Sequence, residues 1–223
     1  MLKCLQNGGG KGFMNRYLRL PIFLFVLILA LTACFQLKHP KNRVQYYILE
    51  YDPPPVTRPS PLPAAIRVER FSVAPMYNTD RMVYRDRSFR RDEYVYHKWR
   101  ANPADMVAYF LSRDIRDSGL FRAVLPSESR LAASYILEGS VDDFFEQDRE
   151  DEWQAVLTLS ITIVSADEPD VSSAILYQKT YRARKTCRQK NPRGLAEAMS
   201  LAMAEISKNI IGDLYDCLRE RKD

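Results

Sequence analysis

The stretch Trp153-Gln154-Ala155-Val156-Leu157-Thr158-Leu159-Ser160-Ile161-Thr162-Ile163-Val164 carries the clearest secondary-structure signal in the chain. Apolar side chains recur at every second position: Trp153, Ala155, Leu157, Leu159, Ile161 and Ile163. Polar side chains lie between them: Gln154, Thr158, Ser160 and Thr162. Successive side chains of a strand point to opposite faces, so this pattern predicts a strand with one face on a core and the other in solvent.

The segments on either side of this strand predict a mixed α/β domain. Asn102 and Asn191 each precede a proline, which is a helix-start signal, and apolar stripes at helical spacing follow both. Helices are therefore expected over 102–118 and 191–217. Further strands are expected at residues 44–51, 66–74, 82–84, 94–99, 121–125, 135–141 and 175–183. The fold class predicted is α/β, a single domain in which two main helices pack on a mixed β-sheet.

A lipoprotein signal peptide is expected ahead of this domain. Leu20 to Ala33 contain no charged residue, and Arg16 and Arg19 precede them. Fourteen positions are fewer than the roughly 20 apolar residues that span a bilayer, so the segment is interpreted as a secretory signal. Either Met1 or Met14 can be its start.

The end of this segment is more specific. Leu31-Thr32-Ala33-Cys34 resembles the bacterial lipobox, an aliphatic residue and two small residues before a cysteine. The resemblance implies that Cys34 is acylated and becomes the mature N-terminus. Phe35 follows where inner-membrane lipoproteins usually carry Asp, which implies sorting to the outer membrane with the protein facing the periplasm.

The sequence divides into three parts. Residues 1–33 form the signal peptide. Residues 34–65 form a lipidated tether, a short strand and a connector with six prolines between Pro53 and Pro63, which is expected to be extended. Residues 66–223 form the α/β domain.

Composition excludes several classes of function. The formal charge of +5 includes four basic residues before Cys34, and the rest carries 29 basic and 28 acidic side chains, which gives no case for nucleic-acid binding. The two histidines, His39 and His97, are too few for a His-rich metal site. No nucleophile–base pair and no phosphate-binding glycine loop follow the signal peptide, so neither an enzyme nor a cofactor is expected. Two separate thiols at Cys187 and Cys217 are favoured, and a disulfide between them stays open.

Two charged segments are candidate contact sites. The segment 81–100 holds Arg85, Arg87, Arg90 and Arg91 among aromatic residues. It fits a surface for phospholipid head groups or an acidic partner, since arginine binds phosphate and carboxylate bidentately, but also fits a solvated hairpin whose aromatic rings pack inward. Asp142 to Glu152 hold seven acidic residues and are expected to form a charged turn. That turn is one counterpart for the arginines, on this chain or on a neighbouring copy.

Several motifs in order resemble one family. They are Tyr46-Tyr47-Ile48-Leu49, Arg67-Val68-Glu69-Arg70-Phe71, Arg81-Met82-Val83-Tyr84-Arg85 and Tyr94-Val95-Tyr96-His97-Lys98-Trp99-Arg100-Ala101-Asn102-Pro103-Ala104-Asp105. Together with the lipobox, they are similar to the ABC-type transport auxiliary lipoprotein family over roughly 44–218.

The resemblance implies an outer-membrane lipoprotein that works in lipid transport between membranes. Its implied partners are the membrane, reached through the lipid anchor, and an MCE-domain protein, a permease and an ATPase; a homo-oligomer is also left open. Two other functions remain: a structural lipoprotein that scaffolds an outer-membrane complex, and a module that carries lipid itself. An apolar cavity of several hundred Å³ would favour the carrier.

Overall fold

The long strand β7 (Tyr135–Asp148) organises the sheet in the computed structural model, which describes residues 43–86 and 89–221. Along one edge of β7, β8 (Trp153–Ser165) pairs antiparallel from Tyr135↔Ser165 to Asp148↔Trp153. Outside β8 lies β9 (Ile175–Thr186), also antiparallel. The alternating segment of the sequence is therefore a central strand, as predicted.

Three short strands share the other edge of β7 in turn, all parallel to it. They are β2 (Leu62–Val68), β3 (Ser72–Val73) and β4 (Arg81–Arg85). Beyond these three strands the sheet divides into two branches, because the outer edges of β2 and β4 pair with different strands.

Each half of this split edge ends on a short partner. On one side, β6 (Phe121–Pro126) pairs parallel with β2. On the other side, β5 (Arg91–Trp99) pairs antiparallel with β4, and β1 (Gln45–Tyr47) pairs parallel with β5 at the outermost edge. The nine strands therefore form a mixed sheet.

The two long helices begin where the Asn-Pro signals predict. In α1 (Pro103–Asp117), the side-chain oxygen of Asn102 accepts a hydrogen bond from Ala104 N at 3.0 Å. The four-residue α2 (Val171–Ala174) precedes β9. In α3 (Pro192–Glu220), the Asn191 side chain accepts from Gly194 N at 2.8 Å. After α1 the chain turns at Gly119, whose φ of +65° favours a residue without a Cβ.

The core lies between the sheet and the two long helices. Leu157 and Leu159 of β8, and Met199 and Ala202 of α3, are fully buried there. Asp213 of α3 also accepts hydrogen bonds from three side chains of β9: Tyr177 at 3.0 Å, and Lys179 and Tyr181 at 2.7 Å each. The predicted α/β class, a mixed sheet packed by two main helices, is confirmed. Within residues 43–86 and 89–221, no helix is both long and apolar enough to cross a membrane.

Residues 43–65 belong to the same compact unit as the rest of the described chain. Leu49 is 1% exposed, and β1 extends the sheet. The proline-rich connector is fastened to α3, because Arg58 donates to both carboxylate oxygens of Asp216 and the Tyr215 hydroxyl donates to Ser60 O at 2.8 Å.

Only the last four residues of the acidic segment form the charged turn that the sequence predicts. β7 continues through Asp148, and only residues 149–152 connect it to β8. A bulge between Val141 and Asp143 shifts the register with β8, the pairing continues beyond it, and Phe144 and Glu146 are buried there. The prediction was wrong for residues 142–148. Their many charged side chains are typical of an exposed turn, but the segment is a strand in which Phe144, Phe145 and Glu146 are buried.

The polar face of β8 also differs from expectation at one position. Thr158 is only 2% exposed. Its hydroxyl donates to the Asp143 carboxylate at 2.7 Å and accepts from Arg182 Nε at 3.1 Å. The bulge in β7 places Asp143 opposite Thr158, so neighbouring polar side chains cover this position.

Candidate functional site

Two of the four candidate arginines lie where β4 and β5 meet at the end of their hairpin. Arg85 is the last residue of β4 and pairs with Arg91, the first residue of β5. Arg90 adjoins them. The remaining candidate, Arg87, and the predicted lipidation site, Cys34, lie outside the described residues.

Arg85 and Arg91 contribute to the fold. Their guanidinium carbons lie 6.0 and 5.6 Å from the centre of the Phe145 ring, within cation–π range. The Phe145 ring in turn stacks on Tyr77 at 5.7 Å, with an angle of 5° between the ring planes. The two arginines thus cover an aromatic pair.

Arg90 is in a different position. Its side chain is 70% exposed and forms an ion pair with Asp92 at 2.8 Å. An exposed pair of this kind contributes about 0–1 kcal/mol to stability. Arg90 is therefore suited to exchange Asp92 for a carboxylate or phosphate of a partner at little cost to the fold.

The fold brings the arginine segment beside the acidic turn of the same chain. Arg85 and Asp86 line a surface crevice of about 740 Å³, together with Gln147 at the end of β7 and with Arg149, Asp151 and Glu152 of the β7–β8 turn. The Gln147 side-chain amide donates to the carbonyl oxygens of Arg85 and Asp86, at 3.1 Å each. This contact joins the end of β4 to the end of β7, directly before the turn. The crevice has charged groups of both signs, so it suits ion pairs and hydrogen bonds rather than an apolar ligand.

Glu146 is a buried carboxyl group that sequence reasoning missed. It is 0% exposed, and the Tyr94 hydroxyl donates to it at 3.1 Å. Burial raises the pKa of Glu146 to about 7, although the hydrogen bond from Tyr94 opposes the shift. No feature of the sequence separates this residue from its solvated acidic neighbours, because only the register after the bulge turns it inward.

The two described cysteines are free thiols, as favoured by the sequence. Burial, with a smaller contribution from the Glu146 carboxylate, raises the pKa of the Cys187 thiol to about 12. Burial also raises the pKa of Cys217. Thiols with raised pKa values stay protonated near neutral pH and are weak nucleophiles. In the part of the chain that the structure describes, no cluster of His, Cys, Asp and Glu side chains is arranged to hold a metal ion.

Solved structures with the same fold are known. A Xanthomonas campestris protein of the DUF330 family superposes with a TM-score of 0.72 at 16% identity, covering 80% of this chain and 99% of that chain. A hypothetical protein of Chlamydia trachomatis superposes with a TM-score of 0.50 at 9% identity, covering 69% of this chain and 96% of that one. At these identities the likeness shows the fold alone.

Sequence comparison identifies the family. No curated protein matches this chain in sequence. Residues 47–211, which span the sheet from β1 through most of α3, match the model of one family, described as the ABC-type transport auxiliary lipoprotein component. The match covers well over half of the chain, so this protein belongs to the family of ABC-type transport auxiliary lipoproteins.

Proposed function

We propose that this protein is an outer-membrane lipoprotein, acylated at Cys34, that acts as the periplasmic auxiliary component of an MCE/ABC-type lipid transport system. Its partners would be an MCE-domain protein, a permease and an ATPase, and its role would be non-enzymatic. Family membership supports association with an ABC-type transporter. The lipobox-like residues before Cys34, together with Phe35, support the anchor and the outer-membrane location.

The filled interior is the observation that favours an auxiliary part over a lipid carrier. A carrier needs an apolar cavity of several hundred Å³. Here the space between sheet and helices is occupied by packed side chains such as Leu157, Leu159, Met199 and Ile206, each at most 1% exposed. The 740 Å³ crevice lies at the surface and is polar. The chain would therefore act through its surface while lipid passes through its partners.

The hairpin end is the surface we assign to the contact with a transporter subunit. Arg90 offers an exposed guanidinium there, and Arg85 and Arg91 are its neighbours in the hairpin. Arginine recognises carboxylates through two parallel hydrogen bonds, so an acidic surface on the partner would fit.

Affinity purification of the acylated protein from membranes tests this contact. Wild type should recover the MCE-domain protein, permease and ATPase, and Arg90→Glu should recover several-fold less. The control is Arg70→Glu, because Arg70 also forms an exposed ion pair, with Glu128 at 2.8 Å. Equal recovery by both variants would refute the assigned contact. Recovery of an outer-membrane complex without permease and ATPase would replace the proposal by the scaffold function.

The anchor is tested separately. Cys34→Ala should abolish incorporation of labelled palmitate and leave an unprocessed precursor. Labelling at the wild-type level would show that Cys34 does not carry the acyl chains.

A further inference from the structure

Apolar side chains are exposed on the segment that enters the sheet through β1. Over residues 46–49 exposed and covered side chains alternate: Tyr47 is half-buried and Leu49 is 1% exposed, whereas Tyr46 and Ile48 are 53% and 44% exposed. Val44, two residues before Tyr46, is 40% exposed. The outward side chains of an edge strand are usually polar or charged, since such a strand is open to pairing with other chains. Three exposed apolar residues at alternate positions indicate a surface that is covered in the cell.

The neighbouring strand enlarges this surface and adds positive charge. β5 pairs with β1 through Gln45↔His97 and Tyr46↔Lys98, and Tyr96, which precedes His97, is 43% exposed. The guanidinium of Arg100 lies 5.3 Å from the centre of the Tyr46 ring. We call the group formed by Arg43, Val44, Tyr46, Ile48, Tyr96 and Arg100 the β1 surface.

The chain that precedes this surface restricts what can cover it. Residues 35–42 contain Lys38 and Lys41 and no acidic residue, and Arg43 follows directly. Nine residue steps from Cys34 to Arg43 span at most about 30 Å when fully extended. A domain of this size is about 40 Å wide. With acyl chains on Cys34, the point where the chain enters the domain is therefore kept close to the bilayer.

The composition of the β1 surface matches a membrane interface. Tyrosine favours the head-group region, where its ring is in an apolar layer and its hydroxyl stays hydrated. Arginine and lysine bind lipid phosphate, and a basic segment beside an acyl chain adds electrostatic attraction to anionic lipids.

We propose that the β1 surface docks on the phospholipid bilayer that holds the acyl chains, with Tyr46 and Tyr96 at the level of the head groups and Arg43 and Arg100 on lipid phosphates. The proposal rests on the proposed anchor at Cys34. It adds an orientation: β1 faces the membrane and fixes the direction in which the hairpin end is presented to a partner.

Quenching of introduced tryptophans by labelled lipid tests this orientation. Acylated Tyr46→Trp protein is reconstituted in phosphatidylethanolamine–phosphatidylglycerol vesicles with phospholipid that carries a doxyl quencher near the head group. The matched control is Tyr109→Trp on α1, where the native tyrosine is 66% exposed. Subtracting wild-type emission removes the contribution of Trp99 and Trp153. We expect at least twofold stronger quenching at position 46 than at position 109.

Each other outcome has a defined meaning. Equal quenching at both positions overturns the docking surface. A blue-shifted emission at position 46 that doxyl lipid does not quench also overturns it, because a protein partner or second copy then covers the site. If acylated wild type does not float with the vesicles, the anchor fails and the docking proposal with it. If it floats but position 46 is not quenched, only the docking surface fails.

A second variant guards against failure to fold. Where circular dichroism shows that Tyr46→Trp is unfolded, Tyr96→Trp takes its place, with the same expectation and the same contradicting result.

Discussion

Leu159 and Thr158 are neighbours on β8, and both are at most 2% exposed, but they are buried by different means. Leu159 lies on the face of the sheet that packs under the helices, where dispersion and exclusion of water stabilise it. Thr158 lies on the opposite face, where Asp143 and Arg182 cover it and satisfy its hydroxyl. The stability contributed at Leu159 thus depends on how well its side chain fills the core, and that at Thr158 on hydrogen-bond geometry. Truncation to alanine should therefore have different effects at the two positions.

The largest effect is expected on the helix-covered face. Leu159→Ala should lower the free energy of unfolding by about 2–5 kcal/mol, because it removes buried methyl groups and leaves a cavity. Urea denaturation measures the change. Leu201→Ala is the control, since Leu201 is 51% exposed on α3 and its loss should cost little. Equal midpoints for the two variants would contradict the placement of β8.

Glu146 tests what happens when a carboxyl group occupies a core position. Its pKa in the folded protein, about 7, is above the ordinary 4.5, so the folded state holds the proton more tightly than the unfolded state. The contribution of Glu146 to the free energy of unfolding is therefore fully present below pH 4.5. About 3 kcal/mol of it is lost as the pH rises to about 7. Glu146→Gln should remove this part of the pH dependence.

The difference between wild-type and variant unfolding free energies, measured from pH 4 to 8, isolates the contribution of Glu146. Glu138→Gln serves as the control, because Glu138 is exposed on the same strand. An identical pH profile for wild type and Glu146→Gln would show that the carboxyl group is solvated.

Thr158→Ala tests the polar face and should have a smaller effect, about 1–2 kcal/mol, because Asp143 and Arg182 each lose a hydrogen-bond partner but remain close enough to pair. Their ion pair is 3.7 Å long in the structure. Thr162→Ala, on the same face and less buried, should cost less. A lower denaturant midpoint for Thr162→Ala than for Thr158→Ala would contradict the network.

The smallest effect is expected at the hairpin end. Arg90→Glu should change the free energy of unfolding by less than about 1 kcal/mol, because the ion pair that Arg90 forms with Asp92 is exposed. Arg91→Glu should destabilise more, since it removes a guanidinium from the Phe145 ring. Thermal melts that rank the two variants in the opposite order would indicate that Arg90, not Arg91, serves the fold.

Local sequence signals were sufficient to predict the structure wherever a pattern lies within one helix or strand. The alternation in β8 and the Asn-Pro starts of both helices each concern residues close in sequence, and these predictions are confirmed. The mixed α/β class followed from them. The course of residues 142–148 could not be obtained in this way, because a bulge and pairing with β8 decide which of these acidic side chains are buried.

For the candidate site, the sequence identified which residues are charged but not what they contact. Arg85 and Arg91 have the same side chain as Arg90, yet Phe145, which follows them by 60 and 54 residues, makes them part of the fold. The proximity of the arginine segment to the acidic turn likewise arises from the parallel pairing of β4 with β7.

The sequence by itself determined the fold class, the helix starts and the family, because these depend on short-range periodicity, capping residues and ordered motifs. Only the tertiary structure decided that Glu146 and Thr158 are buried, that side chains such as Leu157 and Met199 pack between sheet and helices, and that Val44, Tyr46 and Ile48 are exposed beside or within β1. The physical reason is that burial is a property of neighbours brought together across the chain. A one-residue shift in register at the β7 bulge reverses which side chains face the core.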